Sequence, residues 1–205
     1  MEYRSCLTDS ALPAVADTSV IINLNATGYS EALLGALPNR FLVVEEVSFE
    51  LEVDSRTGRN DAEALSALVA QGSVELVRLG DAGTQHFISL VSGPANQTLN
   101  DGEAATIACA LEHGATALID ERKAIRICAE RFGELSTGCT VDIFTQDDVQ
   151  RILTRDTLAD AVFNALYQGR MRVPDHYVGW VVNLIGEERA AQCRSLPASV
   201  RARRS

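Results

Sequence analysis

Ala14-Val15-Ala16-Asp17-Thr18-Ser19-Val20-Ile21-Ile22-Asn23-Leu24 sets a short apolar run directly against an aspartate and continues with apolar residues at helical spacing. Thr116-Ala117-Leu118-Ile119-Asp120 does the same a hundred residues on, and a helix over 121–131 follows it, with Ala124, Ile125, Cys128 and Ala129 on one stripe. An apolar run too short for a helix, ended by an acid and followed by a helix, predicts a buried strand, a turn and a crossover. In parallel α/β sheets, ligands lie beyond the carboxyl ends of the strands. One aspartate at such a junction is explained as a helix N-cap. Two of them, Asp17 and Asp120, at the same edge of one sheet predict a site.

The remaining pattern extends the sheet on either side. Phe41 to Val44 predicts a strand, with a short helix over about 46–53 after it. Leu65, Leu68 and Val69 have helical spacing, and Gly72 stops them. Residues 73–79 alternate as a strand should, and a modest helix over 85–91 follows. The helix over 102–113 carries Ala104, Ile107, Ala108 and Leu111 on one stripe, with Gly114 as its stop. Val141 to Phe144 reads as a last strand, and Thr145 with Asp148 as a capping pair for a helix to Leu153. Strands alternating with helices predict a parallel sheet covered on both faces.

After Leu153 the pattern changes. Leu158, Val162, Ala165 and Leu166 form one helical stripe, and Tyr177, Trp180, Val181, Leu184 and Ile185 another, with no strand between them. The expected organisation is a domain over 1–153, a helical extension over 154–193 that packs on it or pairs subunits, and a basic, disordered tail over 194–205 bearing Arg194, Arg201, Arg203 and Arg204. A homo-oligomer is the expected state.

Composition narrows the function. The chain has 205 residues, 46% apolar and 22% charged, with 28 acidic against 18 basic residues and a formal net charge of −10. Such a surface repels nucleic acid on average, so a phosphate substrate needs a local basic patch or a bound cation. The five cysteines at 6, 109, 128, 139 and 193 have neither zinc-site spacing nor a disulfide framework, which favours a reducing compartment. No signal-peptide pattern and no run of about 18 apolar residues is seen. The expectation is a cytoplasmic protein that does not enter the membrane.

Two further acids lie on helices that start nearby. Glu103, in Asn100-Asp101-Gly102-Glu103, begins a helix, and a capping box with Asn100 explains it structurally. Gly102 allows close backbone approach. Glu50 lies in Val47-Ser48-Phe49-Glu50-Leu51, where a solvated helix face explains it structurally and Glu45, Glu46 and Glu52 compete with it.

Together these stretches resemble the PIN-domain family. Val15-Ala16-Asp17-Thr18-Ser19-Val20-Ile21-Ile22 is similar to the opening of that domain. Asp101-Gly102-Glu103-Ala104-Ala105-Thr106-Ile107 and Ala117-Leu118-Ile119-Asp120-Glu121-Arg122-Lys123-Ala124 resemble its later motifs, and Val43-Val44 to Glu50-Leu51 its second acidic segment. The likeness covers about 15–145. It implies a three-layer α/β/α sandwich around a mainly parallel sheet, and Mg²⁺- or Mn²⁺-dependent hydrolysis of RNA. Asp17, Glu50, Glu103 and Asp120 then match the catalytic, metal-holding quartet, Ser19 the residue supporting the first aspartate, and Glu121 a reserve ligand. Toxin-type relatives imply a protein antitoxin as a partner.

Carboxylates alone suit Mg²⁺ or Mn²⁺ and not zinc, and His86, His113 and His176 have no ligand spacing. Arg122, Lys123 and Arg126 are candidates for substrate phosphates, with Arg56 and Arg59 as a second patch. A haloacid-dehalogenase-like phosphatase would need an aspartate where Ser19 stands. A dinucleotide fold would need a glycine-rich turn after a strand. The remaining alternative is a PIN-like fold kept as an inactive RNA-binding or scaffolding module.

Overall fold

The computed structural model describes residues 6, 7, 9, 11–51 and 57–202. Its strands are β1 (Ala14–Ala16), β2 (Phe41–Val44), β3 (Glu75–Val77), β4 (Thr116–Leu118) and β5 (Thr137–Gly138). They form one sheet in the order β3-β2-β1-β4-β5, with every pairing parallel. Among the described residues the helices are α1 (Thr18–Thr27), α2 (Ser30–Ala36), α3 (Glu45–Glu50), α4 (Asp61–Ala70), α5 (Asp81–Val91), α6 (Asp101–His113), α7 (Arg122–Arg131), α8 (Thr140–Phe144), α9 (Asp147–Ile152), α10 (Arg155–Tyr167), α11 (Val178–Ile185), α12 (Glu187–Gln192) and α13 (Ala198–Arg201). A 3₁₀ turn covers Asp175–Tyr177.

Side-chain alternation divides the core into two layers. Ala14, Ala16, Phe41, Val43 and Leu118 face one side, where α1, α2, α4 and α10 cover them. Val15, Leu42, Val44, Ala117 and Ile119 face the other, where α5, α6 and α7 cover them. Successive strand residues point to opposite faces, so each short strand supplies both cores. That is the expected three-layer α/β/α sandwich. β1 is fully buried because it has a strand on each edge and helices on each face.

Each helix has a local cause. Asp17 caps α1 and Asn100 caps α6, each accepting from a backbone N–H three residues on. Gly114 ends α6 at φ 59°, a left-handed position that glycine adopts without a Cβ penalty. Strand order reverses between β1 and β4, and a ligand crevice is expected at that reversal.

The helices after Leu153 share the sheet's core. Leu158, Val162, Ala165 and Leu166 of α10 join Val20, Ile21 and Leu24 of α1 in one cluster, which continues into Tyr177, Val181 and Ile185. In the segment expected as a disordered tail, α13 covers Ala198–Arg201, Leu196 is buried and Arg201 Nε donates to the Leu196 carbonyl. Arg203 and Arg204 lie outside the described residues.

Four elements differ from expectation. Val141 to Phe144 is helix α8 and not a strand, and the fifth strand is the pair Thr137–Gly138 just before it. A short, wholly buried apolar run does not distinguish strand from helix by periodicity. The deciding signal is the capping pair of Cys139 and Asp142, whose Oδ2 accepts from Cys139 N at 2.9 Å. Thr145 does not cap the next helix, since its hydroxyl donates back to the Asp142 carbonyl at 3.1 Å. In α7, Ile127 takes the inward place expected for Ala129, which is exposed. The helix expected over 46–53 begins at Glu45 and ends at Glu50, and Glu52 and Val53 lie outside the described residues. Among the described residues, no helix is long and apolar enough to cross a membrane.

Candidate functional site

Parallel pairing fixes the two strand-terminal aspartates relative to each other. Ala16 is in register with Leu118, and Asp17 N donates to the Leu118 carbonyl at 3.1 Å. Asp17 and Asp120 therefore leave neighbouring strands at the same rim. Both line a cavity of about 310 Å³, together with Glu50, Glu103 and Glu121. The acids expected to converge are brought to one cavity from four separate segments.

Asp17 is buried at the start of α1. Its Oδ1 accepts from Val20 N at 2.9 Å and from Ser19 Oγ at 2.9 Å. Burial pushes its carboxyl up to about 8; the charge of Asp120 adds to the rise, and the bonds from Val20 and Ser19 oppose it. Asp120 is held more fully. Its Oδ1 accepts from Thr140 N at 2.8 Å, and its Oδ2 from Asn23 Nδ2 at 2.7 Å and from the Thr140 hydroxyl. Burial raises its carboxyl too, those bonds lower it, and the nearby Asp142 raises it.

Glu50, the last residue of α3, joins three elements. Its Oε1 accepts from Gly102 N at 2.8 Å and its Oε2 from Thr18 Oγ1 at 2.5 Å. The Gly102 contact explains that glycine: a Cβ there would collide with the Glu50 carboxylate and lie 2.7 Å from Thr18 Oγ1. Among its competitors, Glu45 pairs with Arg78 at 2.7 Å, neither Glu45 nor Glu46 lines the cavity, and Glu52 lies outside the described residues. Glu103 sits in the first turn of α6, where Asn100 accepts from its N–H at 2.8 Å. Burial raises its carboxyl, a backbone hydrogen bond from Asn100 opposes this, Glu121 raises it further, and Lys123 lowers it. Capping and lining the cavity are therefore compatible roles for Glu103.

Several carboxylates whose ionised forms are disfavoured by burial and by one another lie on one cavity. A divalent cation relieves that kind of electrostatic deficit. The donors are all hard oxygens, without histidine or cysteine, which fits Mg²⁺ or Mn²⁺. Among the described residues, no three His, Cys, Asp or Glu side chains are disposed as a ready-made ligand set. Both Glu50 oxygens accept a hydrogen bond, from Thr18 and from Gly102, and each keeps a further lone pair.

The basic residues expected to meet phosphate lie outside the cavity lining. Lys123 Nζ donates to the Ala95 carbonyl at 2.8 Å and Arg126 to that of Asn96 at 3.3 Å, which ties α7 to the loop before α6. Arg122 faces Asp175 at 3.5 Å. Arg59 is engaged by Asp61 at 2.7 Å with its side chain 16% exposed, and Arg56 lies outside the described residues. Arg170 and Arg172, from the segment after α10, line the cavity instead. The sequence reading missed them, and it missed Asn23 and Thr140. Asn23 did leave a signal, as an amide within the apolar run Val20-Ile21-Ile22-Asn23-Leu24. The other three depend on long-range packing.

No curated protein and no solved structure matches the chain. A family model described as a PIN domain matches residues 13–187, which takes in the whole sheet, every acid on the cavity and the helices as far as the start of α12. PIN domains are generally nucleases that use divalent metals. With this span matched, the expected parallel sandwich observed and the acids of four segments on one rim, the chain belongs to the PIN-domain family.

Proposed function

We propose that this chain is a divalent-metal-dependent nuclease that hydrolyses phosphodiester bonds in RNA, with Asp17, Glu50, Glu103 and Asp120 as its metal-holding catalytic acids. The observation that carries the reading is their meeting on one cavity at the strand-order reversal, with three of the four carboxyls raised by burial. Bound Mg²⁺ or Mn²⁺ would act as a Lewis acid on the phosphoryl oxygen and lower the pKa of a coordinated water.

The chain's own residues orient the acids. Ser19 and Val20 fix Asp17, and Asn23 and Thr140 fix Asp120. Thr18 and Gly102 hold Glu50 between α1 and α6, from where its carboxylate would join in holding the cation. Glu121 stands at the cavity mouth as a supporting acid.

A second reading is favoured by the Glu50 geometry: a PIN-like module that binds RNA without cutting it, in which Glu50 serves only to join α1, α3 and α6. Cleavage of single-stranded RNA and DNA in Mg²⁺, Mn²⁺ or EDTA separates the two. The nuclease reading expects RNA cleavage with either ion, none in EDTA, and none in Asp17→Asn. Binding without cleavage under all conditions would favour the module.

The biological role we propose is that of a cytoplasmic toxin restrained by a protein antitoxin. It rests on the resemblance to the PIN-domain family alone, and growth arrest on expression of the wild type but not of Asp17→Asn tests it. No disulfide joins the five cysteines, which accords with a reducing compartment. Homo-oligomerisation through the C-terminal helices is a further expectation, which sizing in solution checks.

A further inference from the structure

The segment Gly169-Arg170-Met171-Arg172-Val173, after α10, lines the acidic cavity with Gly169, Arg170 and Arg172. Its side chains alternate: Met171 and Val173 are buried, while Arg170 and Arg172 are exposed. The apolar pair anchors the strap and the arginines are turned outward. The strap also lies tight against α1, since a Cβ on Gly169 would come within 2.6 Å of Asn23 Oδ1 and 2.7 Å of the Ala165 carbonyl. Asn23 is the residue that holds Asp120. Met171 N donates to the Ala165 carbonyl at 3.0 Å, which closes the end of α10.

Two observations set this strap apart from an ordinary basic loop. Among the described residues, Arg170 is the only non-glycine with positive φ, at 59°. That conformation strains an arginine backbone where glycine or asparagine would sit more easily. Arg172 is held by Glu121, which accepts from Nη1 at 2.9 Å through Oε1, with Oε2 at 2.8 Å. Nε and Nη2 remain outside that contact, and a guanidinium has five N–H donors. Arg170 makes no ion pair with any described carboxylate. These are the two basic side chains among the described residues that line the cavity, facing five acids in a chain of net charge −10.

The geometry points to the 169–173 strap as the substrate-phosphate clamp of the proposed nuclease: Arg170 and Arg172 hold RNA phosphates beside the carboxylates, and Glu121 orients Arg172. This inference deepens the nuclease reading and rests on it for the identity of the substrate. Planar guanidinium groups match phosphate oxygens in pairs, so two of them on a fixed strap place a strand in register with the acids. The clamp also answers the charge problem, by supplying the local positive field that the surface as a whole lacks.

The test measures binding of a fluorescein-labelled single-stranded RNA to the full chain in Ca²⁺ and in EDTA, across a salt series. Wild type, Arg170→Gln, Arg172→Gln, the double variant, Arg172→Lys and Arg170→Asn are compared. Mn²⁺ affinity is measured calorimetrically on the same proteins. Each Gln variant is expected to bind RNA about five- to tenfold more weakly, and the slope of log K against log salt to lose about 0.7 per arginine removed. Arg172→Lys should recover only part of the loss. Arg170→Asn should keep or raise Tm while losing RNA affinity, a split that a merely structural residue would not show. Mn²⁺ affinity should be unchanged or tighter.

A double variant that binds RNA within twofold of wild type, with the same salt slope, overturns the clamp while leaving the nuclease reading standing. Wild type that fails to bind RNA in either buffer overturns it as well. Arginine-dependent binding without any Mg²⁺- or Mn²⁺-dependent cleavage upholds the clamp and overturns the nuclease reading.

Discussion

The two junctions β1–α1 and β4–α7 have the same form, an apolar strand running into an aspartate, yet they provision that aspartate differently. Asp17 caps its helix and receives Val20 N–H and the Ser19 hydroxyl, both from its own first turn. Asp120 caps nothing; α7 starts after Glu121, and Asp120 is held by Asn23 and Thr140 from two other elements. The difference shows how a shared rim can hold two acids a short distance apart. One is supplied with donors from distant segments. The other stays short of them and rises to about 8. Burial raises both carboxyls, and a cation would relieve that cost at both positions.

The largest expected effect treats the two alike. If both acids hold the ion, Asp17→Asn and Asp120→Asn should each cut RNA cleavage by a factor of about 10² to 10³, the scale on which a single preorganised electrostatic group contributes. Single-turnover rates in Mn²⁺ check this. Retained activity in either variant would break the pairing.

Metal-free stability should then separate them. At pH 8 in EDTA, Asp17→Asn should stabilise the fold by about 1–3 kcal/mol, because it removes a desolvated charge with few partners. Asp120→Asn should gain about 1–2 kcal/mol less, since an amide cannot accept every bond that Thr140 and Asn23 now donate. Denaturant titrations decide it, and an equal or larger gain for Asp120→Asn would dissolve the distinction.

The pH profile sharpens the same contrast. Asp17 has its carboxyl raised from 3.8 to about 8 in the folded chain. The folded state holds that proton more tightly, so its stabilisation is complete below the unfolded value near 4 and is lost as pH climbs toward 8. Metal-free Tm should therefore fall across that window, by at most about 1.4 kcal/mol of stability per pH unit from this group. Asp17→Asn should flatten the fall, and so should saturating Mn²⁺. A profile identical in Asp17→Asn and wild type would remove the assignment.

Smaller effects lie one contact away. Gly102→Ala should destabilise by about 1–3 kcal/mol, because the added methyl meets the Glu50 carboxylate and Thr18. It should lower cleavage as Glu50 is displaced. Ser19→Ala removes one neutral donor from Asp17 and should cost about 0.5–1.5 kcal/mol in Mn²⁺.

The junctions were legible in the sequence because their signal is local: strand run, acid and helix stripe lie within a dozen residues. Register then needed only parallel pairing to set Asp17 beside Asp120. Glu50 and Glu103 were legible through family resemblance and element order, while their bonds through Thr18 and Gly102 are tertiary. Val141 to Phe144 was misread because four fully buried residues hide their period, and the Cys139–Asp142 cap that decides it is an unusual pair. Thr140 and the Arg170–Arg172 strap carry no local mark of a site. Thr140 reaches Asp120 because α8 follows the short strand β5, and the arginines reach the cavity because α10 lies on α1, both consequences of packing over long sequence separation.

Calorimetric titration of Mn²⁺ into the full chain at pH 7.5, in two buffers of different ionisation enthalpy, tests the central claim most directly. The account predicts saturable binding that releases protons, since Asp17 is partly protonated before the ion enters, and loss of both binding and proton release in Asp17→Asn. Absence of saturable binding in the wild type, or the same affinity and proton count in Asp17→Asn, would contradict it.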